Sequence, residues 1–258
     1  ERGGSDTSAI LCAKFFNAEK CIIYTDVEGV FTTDPNLTKA AKKIDKISYE
    51  EMLEMASLGA KVMQPASIQE ARLNRIEVDV RSTFSKKLGT TITKKKNIIN
   101  KNTIRGISFT KNDAKITLIG VKDKPGVAAS IFKPLYENSI NVDMVVQNIS
   151  ANSRETDLTF TIKLEDLIKT KKILQNNKSI KFKNLIVNKN VSKVSIVGVG
   201  MITTPGVTYR MFKALAKKKI NIEVISTSEI KISVLINKKN LKKSVEILHQ
   251  EFKLNYNL

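Results

Sequence analysis

Two stretches decide the fold: residues 115–146, KITLIGVKDKPGVAASIFKPLYENSINVDMVV, and residues 193–226, KVSIVGVGMITTPGVTYRMFKALAKKKINIEVIS. At a spacing of 80 residues, Pro125-Gly126-Val127 returns as Pro205-Gly206-Val207 and Phe132-Lys133 as Phe212-Lys213. Leu135 returns as Leu215, Ile140-Asn141 as Ile220-Asn221, and Gly120 as Gly200. So many identities in one register mark an internal duplication. Each copy opens with an apolar strand (Lys115–Val121, Lys193–Val199) that runs into a Pro-Gly turn, and the turn opens an amphipathic helix. A β-rich segment (142–149, 222–227), a second strand (157–163, 231–236) and a second helix (164–176, 241–252) complete a βαββα order. A further strand near 183–187 closes the first copy as βαββαβ, the ferredoxin-like pattern. After Phe252 too little chain remains to close the second copy, so the two copies are expected to share or exchange a strand.

Working outward, residues 1–98 read differently. A glycine-rich start, Arg2-Gly3-Gly4-Ser5-Asp6, leads into a helix expected from about Thr7 to Phe16, with Ser5 or Asp6 as its N-cap. Cys21–Thr25 reads as a short buried strand ending at Asp26. Helices are expected over 49–58 and 65–73, and a strand over 78–81. Alternating strands and helices indicate an α/β domain entered in its middle. The basic, Asn-rich segment 94–102 is the expected linker. The predicted domains are therefore 1–98, 104–190 and 191–258.

Composition narrows the classes. The chain has 258 residues, 41% of them apolar, enough for a sizeable core. No apolar run approaches the length of a membrane span. The two cysteines, Cys12 and Cys21, form neither a zinc motif nor a disulfide framework; both are expected as buried fillers in a reducing, cytoplasmic setting. The net charge of +19 raises the question of nucleic acid. The lysines, however, are dispersed, and their longest runs, 94–96 and 217–219, lack interleaved aromatics. A solvated basic surface is expected, with no nucleic-acid or membrane partner. Glu1 rather than Met opens the chain, which reads as a fragment.

A glycine-rich turn at a helix N-terminus is an anion site in waiting, because unpaired N–H groups and the helix dipole converge there. Arg2 adds a planar fork for carboxylate or phosphate. No Gly-Lys-Ser/Thr P-loop pattern accompanies it. The sole histidine, His249, is expected at the surface of the last helix, and Met52, Met55 and Met63 in the core.

The block Arg2-Gly3-Gly4-Ser5-Asp6-Thr7-Ser8-Ala9 resembles the substrate-binding motif of aspartate kinases, within the amino-acid kinase family. The blocks 24–35 (YTDVEGVFTTDP), 48–56 (SYEEMLEMA), 59–62 (GAKV) and 226–230 (STSEI) resemble the same family. The duplicated modules resemble ACT domains. The resemblance implies the C-terminal part of an amino-acid kinase α/β domain followed by two ferredoxin-like ACT domains. It implies phosphorylation of the aspartate side-chain carboxylate by Mg-ATP, at the entry to lysine, threonine and methionine biosynthesis. It further implies that Arg2 clamps the α-carboxylate, with Gly3, Gly4 and Ser5 lining the substrate. Asp6 and Lys61 take the catalytic positions, and Thr25, Asp26, Phe31, Asn36, Lys61 and Val62 contact ATP. Phe31 stands where the family often has Tyr, and Asn36 where it often has Arg, with loss of a hydroxyl and of a cation. The family's N-terminal Lys-Phe-Gly-Gly segment is not in this chain, and the fragment alone is expected to be inactive. For the ACT pair the resemblance implies an effector site for lysine or threonine formed by Asp123, Gly126, Asp143, Gln147, Thr208, Asn221, Ser228 and Glu229, and a homo-oligomer through the ACT domains. A non-catalytic regulatory subunit is the alternative.

Overall fold

The computed structural model describes residues 4–59, 62–95, 98, 103–149, 155–177 and 179–255. The first part comprises α1 (Gly4–Phe15), β1 (Lys20–Thr25), β2 (Lys46–Ser48), α2 (Tyr49–Ser57), α3 (Pro65–Asn74), β3 (Glu77–Ser82) and β4 (Thr90–Thr93). Its four strands form one sheet in the order β1-β3-β4-β2, with β1 parallel to β3 and β2 parallel to β4. The helices bury Ile10, Met52, Met55 and Ile68 against Ile47, Val78, Val80 and Ile92, each at most 1% exposed. A mixed sheet under helices needs such apolar strand faces, because the helices displace water from them. The expected helices at 49–58 and 65–73 are present to within a residue. The first helix begins earlier than expected. Gly4 is already helical, so Ser5 and Asp6 lie in the first turn instead of capping it. Strands β2 and β4 are too short for their periodicity to show in the sequence. Cys21 is buried as expected, but Cys12 is exposed on α1. Of the segment expected as a linker, only residues 94, 95 and 98 lie within the described part.

The second part comprises β5 (Gly106–Lys122), α4 (Val127–Glu137), β6 (Val142–Ile149), β7 (Glu155–Lys163), α5 (Leu167–Asn176), β8 (Asn184–Val197), α6 (Val207–Lys217), β9 (Ile222–Thr227), β10 (Lys231–Asn237) and α7 (Leu241–Glu251). Its strands form one sheet in the order β6-β7-β5-β8-β10-β9. The long strands β5 and β8 make it continuous. Residues 113–119 of β5 pair with 184–191 of β8 in the first module's half, whereas residues 106–110 pair with 193–197 in the second module's half. The second module thus takes its fourth strand from residues that precede the first module, and the strands expected near 183–187 and 193–199 are one strand. The crossover on β5 is a register break between Thr110 and Asp113, where buried Asp113 is bonded by the Thr110 hydroxyl and paired with Lys163 at 3.4 Å.

Each half-sheet is covered by two helices. Ile131 and Leu135 of α4 meet Leu118 and Phe160 in the first module, and Met211 and Leu215 of α6 meet Ile196 and Val234 in the second. The Pro-Gly turns have the same backbone in both copies: Gly126 (φ +85°) and Gly206 (φ +86°) are left-handed N-caps of α4 and α6. Only glycine enters that region without a Cβ penalty, which is why the repeat retains it.

Candidate functional site

The described candidates of the kinase-like region lie on α1, at the end of β1, in the segment 31–36 and ahead of α3. Gly4, Ser5 and Asp6 form the first turn of α1, whose unpaired N–H groups and dipole favour an anion. Burial raises the Asp6 carboxyl above its ordinary value. Thr25 and Asp26 stand at the carboxyl end of β1, the edge at which open α/β sheets bind ligands. The Thr25 hydroxyl donates to Asp26 Oδ1 at 3.1 Å, and the Thr25 carbonyl accepts the Thr83 N–H at 2.8 Å. Phe31 is half-buried beside Lys43, and Asn36 is exposed on a turn in which its N–H meets Asp34 Oδ1 at 2.8 Å. Val62 is half-buried ahead of α3. Arg2, Gly3 and Lys61 lie outside the described residues.

The eight effector candidates are distributed over both modules. Asp123 is exposed beyond β5, and Gly126 caps α4. Asp143 and Gln147 lie on β6, Thr208 in the first turn of α6, and Asn221 just ahead of β9. Ser228 and Glu229, in the turn from β9 to β10, face the kinase-like region instead. They line a cleft of about 620 Å³ with Glu50, Arg72, Arg75 and Lys94, whereas the other six line no part of it.

Asp143 is already engaged. Its carboxylate pairs with Lys193 on β8, a side chain only 7% exposed, and accepts the Met144 N–H at 2.8 Å. Burial raises its pKa, but the Lys193 hydrogen bond and charge, the Met144 N–H and the nearby Lys231 outweigh this and hold it below the usual carboxylate range. A second ion pair mirrors the first: Lys115 Nζ on β5 lies 2.6 Å from Glu223 on β9, which Asn188 also contacts at 3.1 Å. Asp143 and Glu223 hold the same position in the 80-residue repeat, and Lys115 and Lys193 both begin the KxxxxGV segment of their copies. Both acids sit where their strand breaks register with its neighbour. Such a bulge re-aims a side chain. Each module therefore holds the other's lysine, around a small apolar cluster of Met144, Val191, Val224 and Leu235. Lys115, Lys193 and Glu223 are not among the sequence candidates; the 80-residue register matches Glu223 with Asp143, whereas the lysines are matched only by their KxxxxGV segments.

The second module also grips the kinase-like region. Glu51, 2% exposed, completes a capping box with Ser48 at the start of α2. The same carboxylate lies 3.5 Å from Arg105 Nε and accepts the Val199 N–H at 3.1 Å. Lys231 reaches Glu54 at 2.9 Å. The expectation that His249 is a surface residue is overturned. It is fully buried, with Nε2 2.9 Å from Thr32 Oγ1, because the face of α7 that carries it packs on the 31–44 loop instead of facing water. Burial lowers its pKa. Met52, Met55 and Met63 are core residues, as expected.

The architecture is that of a mixed α/β part joined to a fused pair of ferredoxin-like modules. Comparison with known proteins agrees: the amino acid kinase family pattern matches residues 1–82, and the ACT domain pattern matches residues 116–177 and 194–252. The aspartate kinase of Pseudomonas fluorescens is 46% identical over 98% of the chain, and the chain spans 62% of that protein's length. E. coli aspartokinase III, solved with aspartate and ADP, superposes with a TM-score of 0.81 at 29% identity over 97% of this chain and 56% of its own. Its structure with lysine and aspartate gives 0.78 at 28% identity, with the same coverage. The regulatory subunit of aspartate kinase from Thermus thermophilus is 36% identical with a TM-score of 0.55; it matches 58% of this chain and 99% of its own. The chain belongs to the aspartate kinase family. Among the described residues no helix is long and apolar enough to cross a membrane.

Proposed function

We propose that the protein containing this chain phosphorylates the side-chain carboxylate of aspartate with Mg-ATP, giving 4-phospho-aspartate, and is feedback-regulated through its ACT pair. One observation carries the reading: the first turn of α1 and the carboxyl end of β1 belong to one small α/β layer. An anion held by the first and a nucleotide at the second would meet at that layer's edge. In this reading Arg2 clamps the α-carboxylate of aspartate, Gly3, Gly4 and Ser5 supply N–H donors, and Asp6 receives the ammonium group. Thr25, Asp26, Phe31, Asn36 and Val62 contact the nucleotide, and Lys61 sets its charge against the transferring phosphoryl group. Phosphoryl transfer depends on positioning and positive charge more than on covalent chemistry, and these residue types supply both. The aspartate and ADP bound by E. coli aspartokinase III support the substrate pair.

For the effector we propose lysine or threonine bound at the ACT pair, supported by the lysine complex of the same E. coli enzyme. A separate regulatory subunit is the second reading. It accounts for the match to the T. thermophilus subunit but leaves the sheet and core of residues 4–95 without a role.

Hydroxylamine trapping of the acyl phosphate formed by the full-length gene product from aspartate and ATP tests the activity. Arg2→Ala should raise the aspartate KM roughly 10- to 100-fold, the worth of a charge-assisted hydrogen-bond pair. An unaltered KM removes Arg2 from the site. Calorimetric titration with lysine and with threonine tests regulation. Heat that disappears in Asp123→Ala supports the effector site, and no heat with either ligand sinks it.

A further inference from the structure

The two copies of the module diverge most informatively in their last helices. Aligned on Leu167 with Leu241, helices α5 and α7 share three buried positions, although α7 also buries Val245 where α5 exposes Lys171. Thr170 matches Ser244, each donating its hydroxyl to the carbonyl four residues earlier, and Leu174 matches Leu248, each fully buried. The next position is Gln175 in α5, exposed to solvent, and His249 in α7, with no exposed surface at all. Val245 and His249, one turn apart, are the buried positions that α7 has and α5 lacks. What buries His249 is the loop of the kinase-like region.

Thr32, the residue His249 meets, is the knot of that loop. Its N–H donates to the Lys42 carbonyl at 2.8 Å, and its carbonyl accepts the Ile107 N–H from the start of β5 at 2.7 Å. Its hydroxyl oxygen accepts the Lys42 N–H at 3.0 Å and lies 2.9 Å from His249 Nε2. With one N–H already accepted, the hydroxyl proton is free to donate to Nε2, which assigns the ring proton to Nδ1. Nδ1 is buried and has no hydrogen-bond partner among the described residues. The other tautomer would leave both the Thr32 proton and Nδ1 unpaired. A buried polar ring with one satisfied nitrogen is costly. An apolar residue such as the Leu248 beside it would fill the space without that cost, so the imidazole is explained by its bond to Thr32. Thr32 follows Phe31 directly and precedes Asn36 by four residues, and both are nucleotide contacts in the reading above, on which this inference rests.

We propose that His249 is a positioning residue for the nucleotide: through Thr32 it fixes the 31–36 loop, and through α7 it makes that loop answer to the packing of the second module. No contact between His249 and substrate is involved. The effect falls on ATP and spares aspartate, because Thr32 adjoins residues assigned to the nucleotide in that reading, whereas the α1 turn is assigned to aspartate.

The test uses the full-length protein with three variants. Thr32→Val removes the hydroxyl at constant shape, His249→Leu removes the ring nitrogens but keeps an apolar filler, and His249→Gln, the side chain of the first module, keeps a hydrogen-bonding group. Thr32→Val and His249→Leu should each raise the ATP KM about three- to tenfold, the loss of one hydrogen bond, and leave the aspartate KM within about twofold. The double variant should be no worse than Thr32→Val alone, which already deletes the His249 bond together with the one from the Lys42 N–H. His249→Gln should recover most of the ATP KM. Unchanged ATP KM in Thr32→Val and His249→Leu, or equal rises for both substrates, overturns the proposal; should His249→Leu fail to fold, Thr32→Val decides alone. A wild-type protein that consumes no ATP with aspartate refutes the functional reading instead. Calorimetry with a non-hydrolysable ATP analogue on the same variants then still decides the role of His249, by the same fold-changes in Kd.

Discussion

The two ACT modules share a plan, a turn geometry and a reciprocal pair of lysine–acid contacts, yet their surroundings differ. In the first module the end of the central strand β5 is tied internally, the Gly120 N–H bonding Asp157 of its own β7 at 3.0 Å. In the second, the corresponding region is tied externally, the Val199 N–H bonding Glu51 of the kinase-like region at 3.1 Å. In the first module the face of α4 and β6 stays open, with Tyr136 81% exposed beside a groove of about 510 Å³. The second module docks on the kinase-like region through other elements, with Val199, Lys231 of β10 and His249 of α7, while Tyr209 of α6 and Ile225 of β9 stay exposed. Duplication supplied two copies of one fold, and burial against a third body made one of them a joint. The lesson is that a repeat register identifies equivalent positions but says nothing about which copy will be covered.

Predictions follow the strength of these ties. The largest effect is expected at Glu51. Glu51→Ala removes a capping box and leaves Arg105, 12% exposed, without its partner, so it should lower the unfolding free energy by about 3–5 kcal/mol in urea titrations. Asp157→Ala, its counterpart in the first module, orphans one N–H and should cost about 1 kcal/mol. Equal losses would erase the distinction between an internal and an external tie.

Next come the reciprocal ion pairs. Lys115→Met leaves Glu223, 16% exposed, with Asn188 as its remaining side-chain partner among the described residues, and should cost about 2 kcal/mol. Lys193→Met leaves Asp143, whose side chain is 59% exposed and open to water, and should cost about 1 kcal/mol. Exchanging the charges, Lys115→Glu with Glu223→Lys, should recover part of the loss. No recovery in a folded double variant would mean that shape, and not charge, holds the modules together.

The smallest effect is a pH dependence peculiar to the second module. Burial lowers the His249 pKa below its unfolded value of about 6.5. The unfolded chain therefore binds more protons just below that pH, and stability falls as pH falls from 6.5 toward the depressed value. The slope is at most about 1.4 kcal/mol per pH unit. Above 6.5 the contribution is complete. Thermal melts between pH 5 and 8 should show this slope in the native protein and a flatter one in His249→Gln; identical slopes would remove His249 as its source.

Much was legible in the sequence. The Pro-Gly turns, the strand–helix alternation and the 80-residue register reported local backbone preference and one-sided burial, which are properties of neighbouring residues. The shortage of chain after Phe252 pointed to a strand from elsewhere, but not to residues 106–110 as its source. Strands β2 and β4, with three and four residues, carry no period to read. Asp143 was legible as a polar residue at an important turn. That Lys193 already holds it was not, because the two are separated by 50 residues and meet only when the sheet curls.

By itself, the sequence determined the duplicated βαββα plan, the glycine-rich helix start and the family. Each of these is written in contiguous residues, where spacing along the chain is also spacing in space. Tertiary structure alone decided that β5 and β8 are shared, that Glu51 is a buried hub and that the only histidine is buried. His249 shows the reason. It lies at the edge of the apolar face of α7, one turn after Val245 and beside Leu248, and whether that edge meets water or protein is decided by the loop 217 residues away that closes over it. Which polar groups lose water is set by the surfaces that meet, and a chain read residue by residue does not contain those meetings.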